Sequence, residues 1–125
     1  MNKYYTPHID EFHDGFVYER FIESGWEERK ATFLPEVSGD IRVRILSVDD
    51  VLSKGFNLIA ESVNKVYIFR KVTDSITNPK VLELQMTFSG EFPLITITVE
   101  EQVIVSSILI QNINEFEFLL SRLII

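Results

Sequence analysis

The residues of this chain best suited to chemistry gather near its start: His8, Asp10, Glu11, His13 and Asp14. Imidazole beside carboxylate is the donor set of zinc, iron or manganese sites and of general acid–base pairs. The spacing matches no metal motif, and HExxH is absent. On a helix, side chains meet three or four positions apart, so His8 falls near Phe12 and not beside His13. One reading is a metal-dependent enzyme using His8, Asp10 and His13. The plainer reading is a solvated acidic turn with one histidine packed on Phe12 or Phe16.

Four more carboxylates follow: Glu19, Glu23, Glu27 and Glu28. Glycoside chemistry needs two at a set separation across a cleft, and nothing in the sequence selects a pair. A solvated hairpin face is expected instead, although N-terminal carboxylates could also mimic nucleic-acid phosphates and block a basic cleft. Arg42 and Arg44 point to one face of a strand, with Arg70 and Lys71 expected on a neighbouring strand. Such a patch could bind a phosphate or an acidic partner. Cross-strand pairing with Asp49, Asp50 or Glu61 would use it up. Phosphate loops, dinucleotide glycine motifs and nucleophile elbows are absent. Ser106 and Ser107 sit in a strand expected to be buried, which makes them poor nucleophiles. The chain has no cysteine, which excludes thiolate catalysis, disulfides and cysteine-based metal centres. No residue set asks for a cofactor.

The elements that must position these residues are legible from periodicity. Leu82, Leu84, Met86 and Phe88 alternate with polar residues, as do Ile95, Ile97 and Val99, which predicts two strands with one dry face each. Val103 to Ile110 is apolar on both faces, which predicts a strand covered on both sides. The helix after it is the expected cover. Asn112 is its start signal, with Glu115 placed as in a capping box. Phe116, Leu119, Leu120 and Leu123 make its apolar stripe. Upstream, Ile9 to His13 suggests one helical turn ended by Gly15. Phe16 to Phe33 reads as a hairpin turning at Ser24-Gly25, and Ile41, Val43 and Ile45 mark a half-buried strand. Ser47 to Asp50 caps a short helix stopped by Gly55. Phe56 to Ala60 and Lys65 to Lys71 look like strands, and Thr73 to Pro79 like a polar loop. The sum is one α+β domain of residues 1–125. It has a mostly antiparallel curled sheet of about eight short strands, a short middle helix and a C-terminal capping helix, with a pleckstrin-homology-like arrangement as one concrete version.

A net charge of −7 disfavours direct binding to nucleic acid or to an anionic membrane, where positive charge supplies much of the affinity. Residues 1–36 carry −4, residues 37–80 carry +2, and residues 81–125 carry −5. No run approaches the ~20 apolar residues of a membrane span, and the start lacks the apolar core of a signal peptide. A soluble protein of the host-cell cytoplasm is expected.

The stretch Tyr5-Thr6-Pro7-His8-Ile9-Asp10-Glu11-Phe12-His13-Asp14-Gly15-Phe16-Val17-Tyr18-Glu19 resembles the start of a group of small uncharacterised proteins of bacterial viruses, prophages and mobile elements. Asp49 to Phe56 and the ending Ile110 to Leu120 are similar too. Ile124 stands where that group has a glycine. The resemblance implies a viral or mobile-element origin and brings no activity with it. The expected function is therefore non-enzymatic: binding and modulating a protein partner with a basic surface, for example as an inhibitor of a host defence nuclease. A structural or accessory role in the virus particle is the alternative, and a homo-oligomer fits either. The expected partner face is the acidic hairpin region with Asp10, Asp14, Glu19, Glu23, Trp26, Glu27 and Glu28. Of its aromatic residues, Trp26 is the one expected to stay partly exposed.

Overall fold

Apolar residues at every second position drive this chain into strands, and the computed structural model describes them over residues 2–32, 40–73, 79–88 and 90–123. The fold is α+β, with every strand pairing antiparallel. The first sheet holds β1 (Tyr4–Tyr5), β2 (Val17–Ile22), β3 (Gly25–Lys30) and β4 (Ile41–Arg44), in the order β1-β4-β2-β3. The second holds β5 (Asn57–Glu61), β6 (Val66–Val72), β7 (Val81–Thr87), β8 (Leu94–Val99) and β9 (Gln102–Leu109), in sequence order. Helix α1 (Val48–Ser53) lies between the sheets in sequence, and α2 (Ile113–Arg122) follows β9.

The strands divide between two sheets where one curled sheet was expected, and neither sheet closes on itself. The break falls at α1. Ser47 accepts from the Asp50 N–H while the Asp50 carboxylate accepts from the Ser47 N–H, a complete capping box. Gly55, at φ +88, ends the helix in a conformation side chains disfavour. The chain therefore leaves the first sheet and restarts in the second.

Each sheet buries one face. Leu82, Leu84 and Met86 of β7 join Ile95 and Ile97 of β8, Phe69 of β6, Val51 of α1 and Phe116 of α2 in the main core. Leu119, Leu120 and Leu123 pack on that core, so the predicted helical stripe does cover the sheet. Complete burial of one such side chain stabilises by about 1.5–3 kcal/mol relative to exposure. A smaller core of Phe16, Tyr18, Ala31 and Val43 lies under the first sheet, flanked by Tyr5, Phe12 and Ile41.

Strand β9 departs from expectation. It is the edge of its sheet and is exposed along most of its length, Val103 to 60%. Ser106 and Ser107 are exposed with it. The pairing with β8 shifts register twice, and Ser107 takes φ +46, so the strand is bulged away from a flat ladder. Helix α2 shares the core with β7 and β8, while β9 contributes Val105 to it and is otherwise exposed on both faces.

Two buried asparagines at the start of α2 join the sheets. The Asn114 side chain accepts from the Val17 N–H at 2.7 Å and donates to the Val17 carbonyl at 3.0 Å. It thus acts as one more rung on β2. Asn112, with no exposed surface, accepts from the Glu115 N–H and donates to the Tyr5 hydroxyl at 2.7 Å. Asn114→Ala leaves the Val17 N–H and carbonyl without these bonds, and an unsatisfied buried group costs about 1–3 kcal/mol. Urea unfolding should show a loss of about 2 kcal/mol for this variant. A loss under about 0.5 kcal/mol, the level of a neutral surface change, would refute the tie.

Candidate functional site

The hairpin forms because Gly25, at φ +126, takes a turn conformation open to few other residues, and β2 and β3 then pair along their full lengths. Directly opposed residues share a face. Tyr18 lies opposite Arg29, Arg20 opposite Glu27, and Val43 of β4 opposite Tyr5, all on the face of the smaller core. The other face carries Glu19 opposite Glu28, Phe21 opposite Trp26, and Arg42 opposite Glu19. Tyr4 joins this face from β1, opposite Arg44.

Arg42 organises that outer face. Its guanidinium carbon lies 3.5 Å from the Tyr4 ring centroid and 4.1 Å from that of Trp26, so both faces of the planar ion are covered by aromatic rings. Its Nε and a terminal nitrogen both reach Glu19 Oε1, at 2.9 and 2.8 Å. This neutralises one of the two facing glutamates, which would otherwise repel. Phe21 meets Trp26 edge to face at 5.3 Å. The product is a rigid aromatic platform with Phe21 50% and Trp26 39% exposed. Trp26 stays partly exposed as expected, and Phe21 is exposed further.

The predicted partner residues distribute unevenly. Glu19, Trp26 and Glu28 share the outer face, and exposed Glu23 occupies the turn beside it. Glu27 sits on the opposite face, 3.4 Å from Arg29. Asp10 and Asp14 are exposed in the N-terminal segment that precedes the hairpin. Arg42 belongs to the same face as the carboxylates, while Arg44 pairs with the buried Asp50. Arg70 and Lys71 lie on β6 in the other sheet, so the expected four-residue basic patch does not form. Arg70 pairs with Glu83, and the Lys71 ammonium donates to the Lys54 carbonyl.

His8 caps a 3-10 turn over Ile9–Glu11, accepting from the Asp10 N–H and lying 3.2 Å from its carboxylate. His13 packs edge-on against Phe16 at 5.5 Å. Among the described residues no three histidine, aspartate or glutamate side chains gather as a metal-binding group. Glu11 instead turns inward, accepting from the Tyr5 hydroxyl at 2.8 Å and from the His8 N–H at 2.7 Å.

A small notch of about 190 Å³ opens at this junction, lined by Glu11, His13, Phe16, Asn112, Asn114 and Glu115 among others. Burial pushes the Tyr5 hydroxyl well above its ordinary pKa, helped by Glu11 and opposed by the Asn112 N–H. Burial also raises the Glu115 carboxyl, which the Gln111 N–H counteracts and the Glu11 charge reinforces. That bond to Gln111, at 2.6 Å, lies one residue before the predicted capping box. Sequence reading missed this junction because Asn112 meets Tyr5 across 107 residues of chain, which no local pattern reports.

Comparison with known proteins finds no family model, no curated protein and no solved structure that matches this chain. The chemistry of the site therefore rests on its own geometry. An arginine stacked on aromatic rings and forked onto one carboxylate oxygen, beside two exposed rings, binds surfaces well, and these groups supply no nucleophile next to a base.

The Glu115 shift has a readable sign. The folded state holds this proton more tightly than the unfolded chain, so the group favours folding below its ordinary pKa of about 4.3. That contribution is lost as pH rises through the raised folded value. Glu115→Gln keeps an acceptor for the Gln111 N–H and removes the charge. Its melting temperature relative to the parent should rise from pH 4 to pH 7, with the variant ahead at pH 7. A constant difference across that range would show that burial of this carboxylate does not govern its titration.

Proposed function

We propose that this chain is a non-enzymatic accessory protein of a bacterial virus or mobile element that binds and modulates a protein partner through the outer face of its β2–β3 hairpin. The observation that carries this reading is the platform of Trp26 and Phe21 held beside Arg42. Tryptophan, tyrosine and arginine dominate interface energies, and here Trp26, Tyr4 and Arg42 hold one another before any partner arrives, which lowers the entropy lost on binding. Glu23 and Glu28 give the platform an acidic border, matched to a partner with a basic surface. A host defence nuclease is one such partner. The charge of −7 supports a protein partner over direct contact with nucleic acid. No helix among the described residues is long and apolar enough to cross a membrane.

Immobilised chain and its Trp26→Ala variant, exposed side by side to host lysate, test the reading. The parent should retain a specific partner, and the variant should lose affinity by more than about tenfold, mostly through faster dissociation. Joint reversal of Glu23 and Glu28 to lysine should slow association and flatten its salt dependence while the fold stays intact. Full binding by both variants would remove this face from consideration.

A second reading is favoured by one observation, the exposed and uncharged β9 edge. It makes the chain a structural or accessory component of the virus particle that assembles through its sheet edge. Mass spectrometry of purified particles separates the two, since the first reading expects the chain to be absent from them.

A further inference from the structure

We infer that a second site, away from the hairpin face, binds a small zwitterion with an apolar side chain, the chemistry of a free apolar α-amino acid. A pocket of about 370 Å³ opens where the residues before β1, the β4–α1 junction, the start of β6 and the segment after β7 meet. That volume lies within the range of small-molecule sites. Tyr67 and Phe88 line it, packed edge to face at 5.9 Å, and give it an apolar aromatic wall. Lys3, Lys65, Asp49 and Glu91 line the same pocket. None of these four charges forms an ion pair with any described residue.

Two cations and two carboxylates around one mouth, unpaired with one another, are complementary to a ligand with both signs within a few bonds. A ligand carboxylate would meet the lysine ammonium groups, a ligand ammonium would meet Asp49 and Glu91, and the side chain would lie against Tyr67 and Phe88. A simple anion or a simple cation would leave one pair of these charges facing its own sign.

The backbone at Lys65 is a separate observation. This lysine takes φ +60, in the left-handed region that favours glycine. The Lys65 carbonyl accepts from the Phe88 N–H at 3.1 Å, and the Lys65 N–H donates to the Ser62 carbonyl at 3.1 Å. Both bonds are made by backbone atoms that any residue has, so the turn itself does not ask for lysine. This left-handed residue in the turn between β5 and β6 sets Lys65 at the pocket, and backbone strain of this kind recurs at ligand sites.

The test is a two-dimensional amide NMR titration of the full chain with L-phenylalanine, N-acetyl-L-phenylalanine and L-phenylalaninamide. L-Phenylalanine should cause saturable shifts at Lys3, Lys65, Tyr67 and Phe88, and each blocked form should bind at least about tenfold more weakly, a difference of about 1.4 kcal/mol. Lys65→Gly relieves the backbone strain, so it should melt higher than the parent and still lose at least about tenfold in affinity. No saturable shift by about 10 mM ligand, equal binding of either blocked form, or undiminished binding by Lys65→Gly overturns the inference.

Discussion

The architecture depends on desolvated amides at the start of α2. A buried amide without partners costs several kcal/mol, so Asn112 and Asn114 are tolerable only where every polar neighbour is in register. Asn114 finds its partners on the backbone of β2, and Asn112 finds its partners in the helix's first turn and the Tyr5 hydroxyl. These bonds have narrow geometry, which apolar contact lacks. They set the position of the first sheet against α2, whereas the leucine stripe of α2 sets only its depth on the second sheet. The Tyr5–Glu11 bond extends the same network to the N-terminal turn and folds a carboxylate inward that would otherwise face water.

The hairpin face inherits its order from that placement. Once β2 is fixed, β4 pairs beside it and brings Arg42 opposite Glu19. Arginine's planar ion can then be stacked on two sides and bridged at its edge, a set of contacts that a lysine could not reproduce. Trp26 is held by this ion, and Phe21 by Trp26. That explains how an aromatic surface persists on a domain whose two cores lie elsewhere.

Much of this was legible in the sequence, for identifiable reasons. Alternation at Leu82 to Met86 and at Ile95 to Ile97 named the buried face correctly, because period-two patterning reports burial on a sheet directly. The caps at Ser47 and Asn112 were legible because they are local. The fate of β9 was not. Val103 to Leu109 has the composition of a covered strand, and composition cannot tell a central strand from an edge. The joining of Arg42 to the carboxylate face was hidden too, since it depends on β4 lying next to β2 across a connection that periodicity does not describe. Glu115 was expected to reach the amide of Asn112 and reaches that of Gln111, a shift of one residue below the resolution of motif reading.

The bonds between Asn114 and Val17 span 97 residues of chain. At a synthesis rate of roughly 5–20 residues per second, about 5–20 seconds separate the two partners as they are made. Throughout that interval the Val17 amide and the Tyr5 hydroxyl lack their asparagine partners, although Tyr5 already has Glu11 within local reach. The hairpin can form early from local contacts, but the first sheet reaches its final position last. The nascent chain therefore shows its aromatic face to the cell before its own fold is closed.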